Sequence, residues 1–471
     1  MTRTISAAIL LGTTIAGAAA AEPLSRAEAV ARALDKNPVV RRSVAEWEGL
    51  RGRVQQARAD ALPEVNAFGT FTRYQDPGFL NSPNIDEFPP EILQAFQPVP
   101  TNLWDGSLSV HQTLYSFSLG KAIRAAGYAR QLGSENVDRA RQDVTLRAVM
   151  VYDAYLVALE RVKVAETLVH QREEHLEMAR NRRQAGVATE LEVLRFEVDL
   201  ANARTDLLRL QGATAVALGN LNAVMVAPTN SPIEPTDALT FRDENVDLPA
   251  VVQKAKANRP ELKAIEWTER VYDEAIGIYQ ADSRPRLDFN GSYGWSTLDT
   301  SNFFKSNYEK WSLAVTLKIP IFDGWRTAGK VAQARADRRK VGQDRVELET
   351  AINLEAKQAV DRLAVARSVY RSAELNVTQA RKALEMTEAN YRLGAATTLD
   401  VIDAQAALSQ AETTRVEALG AHVDARASLL YVMGQNPLEE SAPSSATDNA
   451  LLQQAPALAG GAPAVTTAGR D

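Results

Sequence analysis

Asp400 and Asp403 stand three residues apart, a spacing that sets two carboxylates on one face of a helix start. Acidic residues there are favourable in their own right, because the first turn lies beneath the positive end of the helix dipole. Other candidates for chemistry fail on inspection. The histidines are His111, His170, His175 and His422. His170 and His175 are five apart, which turns them off a common helical face, and no ligand set completes a metal site. The chain has no cysteine, so thiol catalysis and cysteine-based metal centres are excluded. No Gly-Lys-Ser/Thr loop is present to cradle a nucleotide phosphate. Lys and Arg total 53 against 59 Asp and Glu, so the basic bias that nucleic-acid binding requires is missing. The residues point to a protein that is not an enzyme and carries no cofactor or metal.

The ends give an address. Met1–Arg3 carries one positive charge, Ile5–Ala18 is apolar and small, and Ala19-Ala20-Ala21 before Glu22 fits an A-x-A cleavage site. Residues 1–21 therefore read as a secretory signal, and without a following cysteine there is no lipid anchor. An exported chain without disulfides must be held by packing. No later stretch reaches the ~20 apolar residues of a membrane-spanning helix. Residues 438–471 are rich in Ala, Pro, Ser, Thr and Gln, the composition of a disordered tail.

Between these ends the chain repeats itself. Asn37-Pro38 is answered by Asn258-Arg259-Pro260, and Ala59–Pro63 by Ala281–Pro285, at one common offset. Further on, Gly186–Val193 is answered by Gly394–Val401. Each copy reads as helix, strand, long loop, strand, very long helix, glycine turn and long helix, dividing the chain into 22–240 and 241–437.

Proline is missing from Pro100 to Pro228 and from Pro320 to Pro437, and both intervals are rich in strong helix formers. Helices over Lys121–Arg183 and Lys330–Arg392 would be on the order of 90 Å long. Val149, Tyr152, Leu156, Leu159 and Val162 recur at three- and four-residue spacing, as in coiled-coil packing. Such a stripe needs a partner, which antiparallel pairing through the turns at Gly186 and Gly394 supplies.

Four short segments alternate instead. Leu287, Phe289, Gly291, Tyr293 and Trp295 share one face, and Trp311, Leu313, Val315, Leu317, Ile319 and Ile321 another. In the first copy Val65, Ala67, Gly69 and Phe71 alternate with polar neighbours, as do Leu108 and Val110. Runs of about 10 residues match a tilted strand crossing a bilayer. Trp104, Tyr293, Trp295, Tyr308 and Trp311 crowd the strand ends like an interfacial girdle, with Asp76–Pro100 and Asp299–Asn307 as outer loops. Four strands cannot close a barrel, whose smallest membrane form has about 8. Membrane strands here therefore demand an oligomer. The competing reading, a structural periplasmic coiled-coil protein without a pore, leaves the two aromatic hairpins unexplained.

Several motifs resemble the TolC-like outer-membrane efflux protein family. Leu317–Gly324, with Pro320, Phe322, Asp323 and Gly324, looks like its strand-to-helix signature, and Leu114–Phe117 like a degenerate first copy. Tyr391-Arg392-x-Gly394-x-x-Thr397-x-Leu399-Asp400-Val401-Ile402 is similar to its hairpin-tip motif, and Leu24–Val40 to its opening helix. The likeness spans roughly Leu24–Pro437.

The resemblance implies a mainly α fold with a membrane β-barrel portion. Three protomers would contribute four strands each to a twelve-stranded barrel in outer-membrane lipid, continued by an α-helical barrel through the periplasm of a Gram-negative cell. It implies a passive conduit for drug efflux or type I secretion, coupled through a periplasmic adaptor to an inner-membrane ABC or proton-driven transporter. Asn220–Leu248 and the residues after Gly434 would form a belt. Asp400 and Asp403 would line the periplasmic entrance as carboxylate rings, where their first-copy counterparts are Glu192 and Arg195. Tyr391 and Glu192 fall at the family's gate links. Ala396 occupies the usual Arg position, which leaves Arg392 or Arg195 as substitutes. Gly186, Ala188, Thr189, Leu191, Gly394, Ala396, Thr397 and Leu399 would meet the adaptor. The glycines also suit left-handed C-caps, and Thr189 and Thr397 suit N-caps. For the exported chain, N-terminal sequencing is expected to begin at Glu22; retention of Met1 would refute the signal.

Overall fold

The computed structural model describes residues 21–78, 89–90 and 98–438. Residues 1–20 of the signal expected over 1–21, residues 439–471 of the tail expected over 438–471, and the loop residues 79–88 and 91–97 lie outside the described residues. Strand β1 (Glu22–Leu24) leads into helices α1 (Arg26–Lys36) and α2 (Pro38–Ala59), strands β2 (Glu64–Tyr74) and β3 (Thr101–Tyr115), and helices α3 (Phe117–Gln184) and α4 (Glu190–Val224). After β4 (Ile233–Pro235) the series recurs as α5 (Leu248–Asn258), α6 (Pro260–Ala281), β5 (Arg286–Thr297), β6 (Glu309–Lys318), α7 (Arg326–Arg392) and α8 (Thr398–Val432). The long helices α3 and α7 have 68 and 67 residues.

Local chemistry sets the boundaries. Ser25 and Glu28 form a reciprocal capping box that starts α1. Asn37 is extended because the residue before a proline is pushed out of the helical region. Pro38 and Pro260 then open α2 and α6, where a missing N–H costs nothing. The opening helix expected over Leu24–Val40 is thus divided, with Leu24 in a strand and a break at Asn37. Strand β6 ends at Lys318, so Ile319 and Ile321 leave the alternation expected to include them. Pro320 cannot donate to a ladder, which stops the strand there.

The chain forms two compact units. One holds the described residues up to Val40, Arg141–Asn258 and those from Ile352; the other holds Arg41–Ala140 and Arg259–Ala351. In the second unit a four-stranded antiparallel sheet has the order β2-β3-β5-β6. Gly294 lies so close to β3 that a Cβ there would sit 2.1 Å from the Gly106 carbonyl. Every residue of β6 is exposed, as is every residue of β2 except Asn66. Beside the sheet, α6 and α7 are joined by charge: Arg338 meets Glu269 at 3.3 Å and Asp273 at 3.0 Å.

The first unit carries the helical hairpins. Val251 of α5 packs with Ala356, Ala359 and Leu363 of α7 and Leu429 and Leu430 of α8. Leu24 and Ala29 pack with Tyr152, Tyr155, Leu221 and Ile233. Alanines let the helices approach closely; a Cβ at Gly420 would lie 2.5 Å from Val157.

Helices α4 and α8 end alike. The amides of Ala227 and Gln435 return to the carbonyls of Asn222 and Leu430, both at 2.9 Å, and the residue before each amide is left-handed. In α8 that residue is Gly434 (φ 66°), whereas in α4 it is Val226 (φ 56°). A branched side chain pays about 1–2 kcal/mol for this conformation, partly offset by the unfolded-state freedom a glycine adds. Val226→Gly is expected to stabilise the chain by about 0.5–1 kcal/mol, seen as a higher chemical-denaturation midpoint; a lower midpoint would contradict the strain.

Candidate functional site at the hairpin tips

The two hairpins of the first unit turn by one device. Gly186 and Gly394 both have φ of 78°. The amides of Val187 and Ala395 reach back to the carbonyls of Arg182 (3.0 Å) and Asn390 (2.8 Å), closing the helix ends. Thr189 then caps α4 and Thr397 caps α8. The return bonds come from acids: Glu192 accepts from the Thr189 amide at 2.9 Å, and Asp400 from the Thr397 amide at 2.7 Å. That amide holds the Asp400 carboxyl below the usual carboxylate range.

Asp400 therefore serves the helix first. Its Oδ2 accepts both the amide and the hydroxyl of Thr397, each at 2.7 Å, while the side chain remains at the exposed surface. Asp403, three residues further along the same helix start, is also exposed. Leu191, Thr189, Thr397 and Leu399 are exposed as well, and Ala188 and Ala396 are half-buried. Together with Leu194 and Val198, about half to three-fifths exposed, Leu191 and Leu399 make an apolar rim to a groove that Arg195, Asp199 and Ile402 also line.

Tyr391, Glu192, Arg392 and Arg195, the residues expected at the gate, each have defined surroundings. Tyr391 is 4% exposed, and its hydroxyl is buried with no hydrogen-bond partner. The Arg182 guanidinium lies 4.7 Å from the centre of the Tyr391 ring, and its Nη1 donates to the Tyr391 carbonyl at 3.5 Å. Glu192 instead accepts from the Thr398 hydroxyl at 3.3 Å. Arg392 pairs within its own helix with Glu388 at 3.6 Å. Arg195 stays on the groove wall.

A further bridge was not legible beforehand. His175 of α3 contacts Glu388 of α7 at 3.1 Å and stacks on Phe196 with ring centroids 6.1 Å apart. Sequence reading dismissed His175 as a metal ligand, and nothing in its own helix marks Glu388 as its partner. Near the tips the two hairpins are tied by contacts that include Arg182–Tyr391, His175–Glu388 and Thr398–Glu192. They surround an apolar patch of Leu176, Ala179, Val193, Phe196 and Leu200.

The strand-to-helix turn precedes α7. Gly324 (φ 68°) and Trp325 (φ 65°) reverse the chain, and Asp323 accepts from the Thr327 amide at 2.8 Å. Ile321, Phe322 and Trp325 are left at 97%, 75% and 76% exposure, an apolar cluster that water would not favour. Pro320 fixes the entry to this turn.

Comparison with known proteins is consistent along nearly the whole chain. The profile described as "Outer membrane efflux protein" matches residues 29–225 and 251–435, one match in each copy. Outer membrane protein OprJ of Pseudomonas aeruginosa is 26% identical over 386 residues, covering 79% of this chain and 76% of its own. The alkaline protease secretion protein AprF of the same organism is 21% identical over 341 residues, 70% and 69% of the two chains. Among solved structures, the outer membrane protein VceC of Vibrio cholerae superposes with a TM-score of 0.74 at 18% identity, covering 87% of this chain and 96% of VceC.

Because the Tyr391 hydroxyl is buried and unpartnered, its removal relieves a desolvated group rather than breaking a bond. Tyr391→Phe is expected to be neutral or stabilising by up to about 1 kcal/mol, whereas Arg182→Ala should cost about 1 kcal/mol through the lost ring contact. Denaturant unfolding of the two variants checks this; a loss above about 1 kcal/mol for Tyr391→Phe would mean the hydroxyl is used.

Proposed function

The chain belongs to the outer membrane efflux protein family, and from that premise we propose that three copies assemble into one passive export conduit. It is an outer-membrane efflux channel protein, like the relatives it matches. The observation that carries the assembled form is the pair of bare sheet edges, β2 and β6. In hydrocarbon each unpaired backbone group costs several kcal/mol, so lipid-exposed edges are not tolerated. Pairing β6 of one copy with β2 of the next removes every edge once the ring closes. Three copies of four strands make a twelve-stranded barrel, and the hairpins of the three copies close side by side into a helical passage.

The exposed rim of Leu191, Leu194, Val198 and Leu399, with the turns at Gly186–Thr189 and Gly394–Thr397, offers an adaptor an apolar surface on rigid supports. An inner-membrane transporter supplies the energy for export through this passive passage. The contacts Arg182–Tyr391, His175–Glu388 and Thr398–Glu192 hold the two hairpins of one protomer, and their rearrangement accompanies opening. The cargo is either a small toxic compound or a secreted polypeptide; AprF is named for the export of a protease, and the likeness to it extends over two thirds of each chain.

Asp400 and Asp403, repeated by three-fold symmetry, set carboxylate rings at the periplasmic entrance, which favour cations and disfavour anions. The capped Asp400 is held ionised by the Thr397 amide, so its ring keeps its charge at neutral pH and well into the acid range. In planar bilayers, Asp400→Ala with Asp403→Ala is expected to lower cation preference and to weaken block by multivalent cations by about tenfold or more, as loss of a multi-charge site implies. Unchanged selectivity and block would remove both residues from the entrance, and no conductance from wild-type protein would remove the pore.

A further inference from the structure

The two edge strands of the four-stranded sheet carry charges without a counter-charge among the described residues. In the interior strands the charges are met within the chain: Asp105 of β3 pairs with Lys310 of β6, and Arg286 meets Asp288 along β5 at 2.8 Å. The remaining charged residues of the edges are Glu64 and Arg73 on β2 and Glu309 and Lys318 on β6, all exposed. Arg73 and Lys318 meet no acid among the described residues. Glu64 accepts from Asn66 of its own strand at 3.1 Å, and Glu309 lies within hydrogen-bonding reach of the Tyr293 side chain, so neither meets a cation.

The two faces of the sheet run unbroken across its strands. Val65 pairs with Val110, Val110 with Gly291, and Gly291 with Leu313, so the odd-numbered residues of β2 and β6 share one face. That face carries Val65, Ala67 and Phe71 on one edge and Trp311, Val315 and Leu317 on the other. A seam between β6 and the β2 of a second copy continues it only in registers that step by two residues, because a slip of one turns every side chain over.

Strand direction alternates along the order β2-β3-β5-β6, so β6 meets a second β2 antiparallel. Nine residues separate Glu64 from Arg73, and nine separate Glu309 from Lys318. A register that sets Lys318 opposite Glu64 therefore also sets Glu309 opposite Arg73. Both pairs are of opposite sign, and both keep the faces. This register gives every residue of β6 a partner in β2, whereas a slip of two in either direction leaves at least one without. On the apolar face it sets Phe71 opposite Trp311. Phe71 already packs on Trp104 with ring centroids 4.5 Å apart, and Trp311 pairs with Tyr293, so a row of four aromatic side chains crosses the seam.

We propose that neighbouring copies join β6 to β2 in this one register, clamped by Lys318 on Glu64 at one end and Glu309 on Arg73 at the other. The proposal rests on the ring assembly above and adds the geometry of its seam. Within one chain the ladder leads from Glu64 to His111, Asn290 and Ala314. The seam then leads from Ala314 to Phe68 of the next copy, four residues further along β2. Over three copies the stagger equals the number of strands. At about 3.4 Å per residue and about 4.8 Å between strands, that tilts the strands by about 35°, within the range of membrane barrels. A seam with two residues less stagger would leave them at about 20°. Clamps at both ends hold the register against slippage, which the small side chains between them, Ala67 and Gly69 opposite Val315 and Leu313, would not do alone.

Because the chain has no cysteine, introduced disulfides read the seam directly. In membranes holding the full chain, Ser312→Cys is combined in turn with Thr70→Cys, Phe68→Cys and Thr72→Cys, all on the polar face. Thr70 stands directly opposite Ser312 in the proposed register. The other two are diagonal, about 7–8 Å away, which is beyond the reach of a disulfide. Mild oxidation is expected to link neighbouring copies through the Thr70 pair with about fivefold or more the yield of either diagonal pair. A diagonal pair that links best overturns the register and leaves the ring standing; no linkage through any pair overturns ring and register together. Lys318→Glu alone, which needs no disulfide, is expected to raise the dissociated fraction of the detergent-solubilised assembly about fivefold, one opposed pair being lost at each seam. Glu64→Lys with Lys318→Glu should restore assembly, and a swap that fails to restore it overturns the pairing.

Discussion

Backbone amides and carbonyls at the edge of a sheet must find partners, and hydrocarbon offers none. This constraint governs the second unit. Its sheet is complete in the middle, where β3 and β5 are bonded on both sides, and incomplete at both ends, where β2 and β6 are bonded on one. The close approach of Gly294 to Gly106 leaves no room for a side chain between the central strands there. Within one chain such a sheet is complete in its interior and leaves β2 and β6 each bonded on one side only. The exposed Ile321, Phe322 and Trp325 beyond β6 follow the same logic, since an apolar cluster at a strand end is stable only where something other than water covers it.

Duplication gives each chain its hairpins cheaply, and divergence gives the hairpins different neighbours. Both tips use a left-handed glycine, a threonine cap and an acid that returns the bond. Contact between them, however, is made by residues that differ between copies. Arg182 meets Tyr391, and His175 meets Glu388. Two identical hairpins could pair in several equivalent ways, and a single fold must select one. Unlike side chains at matching positions make that selection, because each contact is satisfied only when copy one faces copy two.

Much of this was legible in the sequence because it depends on local chemistry. Prolines, capping threonines and turn glycines act within a few residues of themselves, so Pro38, Pro260, Gly186 and Gly394 mark boundaries that the structure shows. Strand alternation is a property of the strand alone, and the four segments were found where they occur, save that Pro320 ends β6 earlier than the apolar pattern of Ile319 and Ile321 implied. What sequence could not supply is the pairing between elements distant in the chain. Tyr391, Glu192 and Arg392 were selected by position, but their partners are Arg182, Thr398 and Glu388. Rotation of one helix about its axis decides such partners, and periodicity fixes that rotation only to within a face. The same limit hid His175 and the buried Arg26–Asp153 pair.

Several polar groups inside the first unit stand where elements meet. Asn222 donates to the carbonyls of Thr229 and Ser231, Asn258 to that of Met433, and Tyr155 to that of Ile233. Each reaches a carbonyl that helix or strand geometry leaves unpaired, so each fixes the path of a connecting segment. Apolar contact cannot do this, because it is nearly indifferent to a shift of one residue, whereas a buried donor without its acceptor costs about 1–3 kcal/mol. The walls of a channel protein must hold a defined path for each connecting segment, and hydrogen bonds at the junctions supply it.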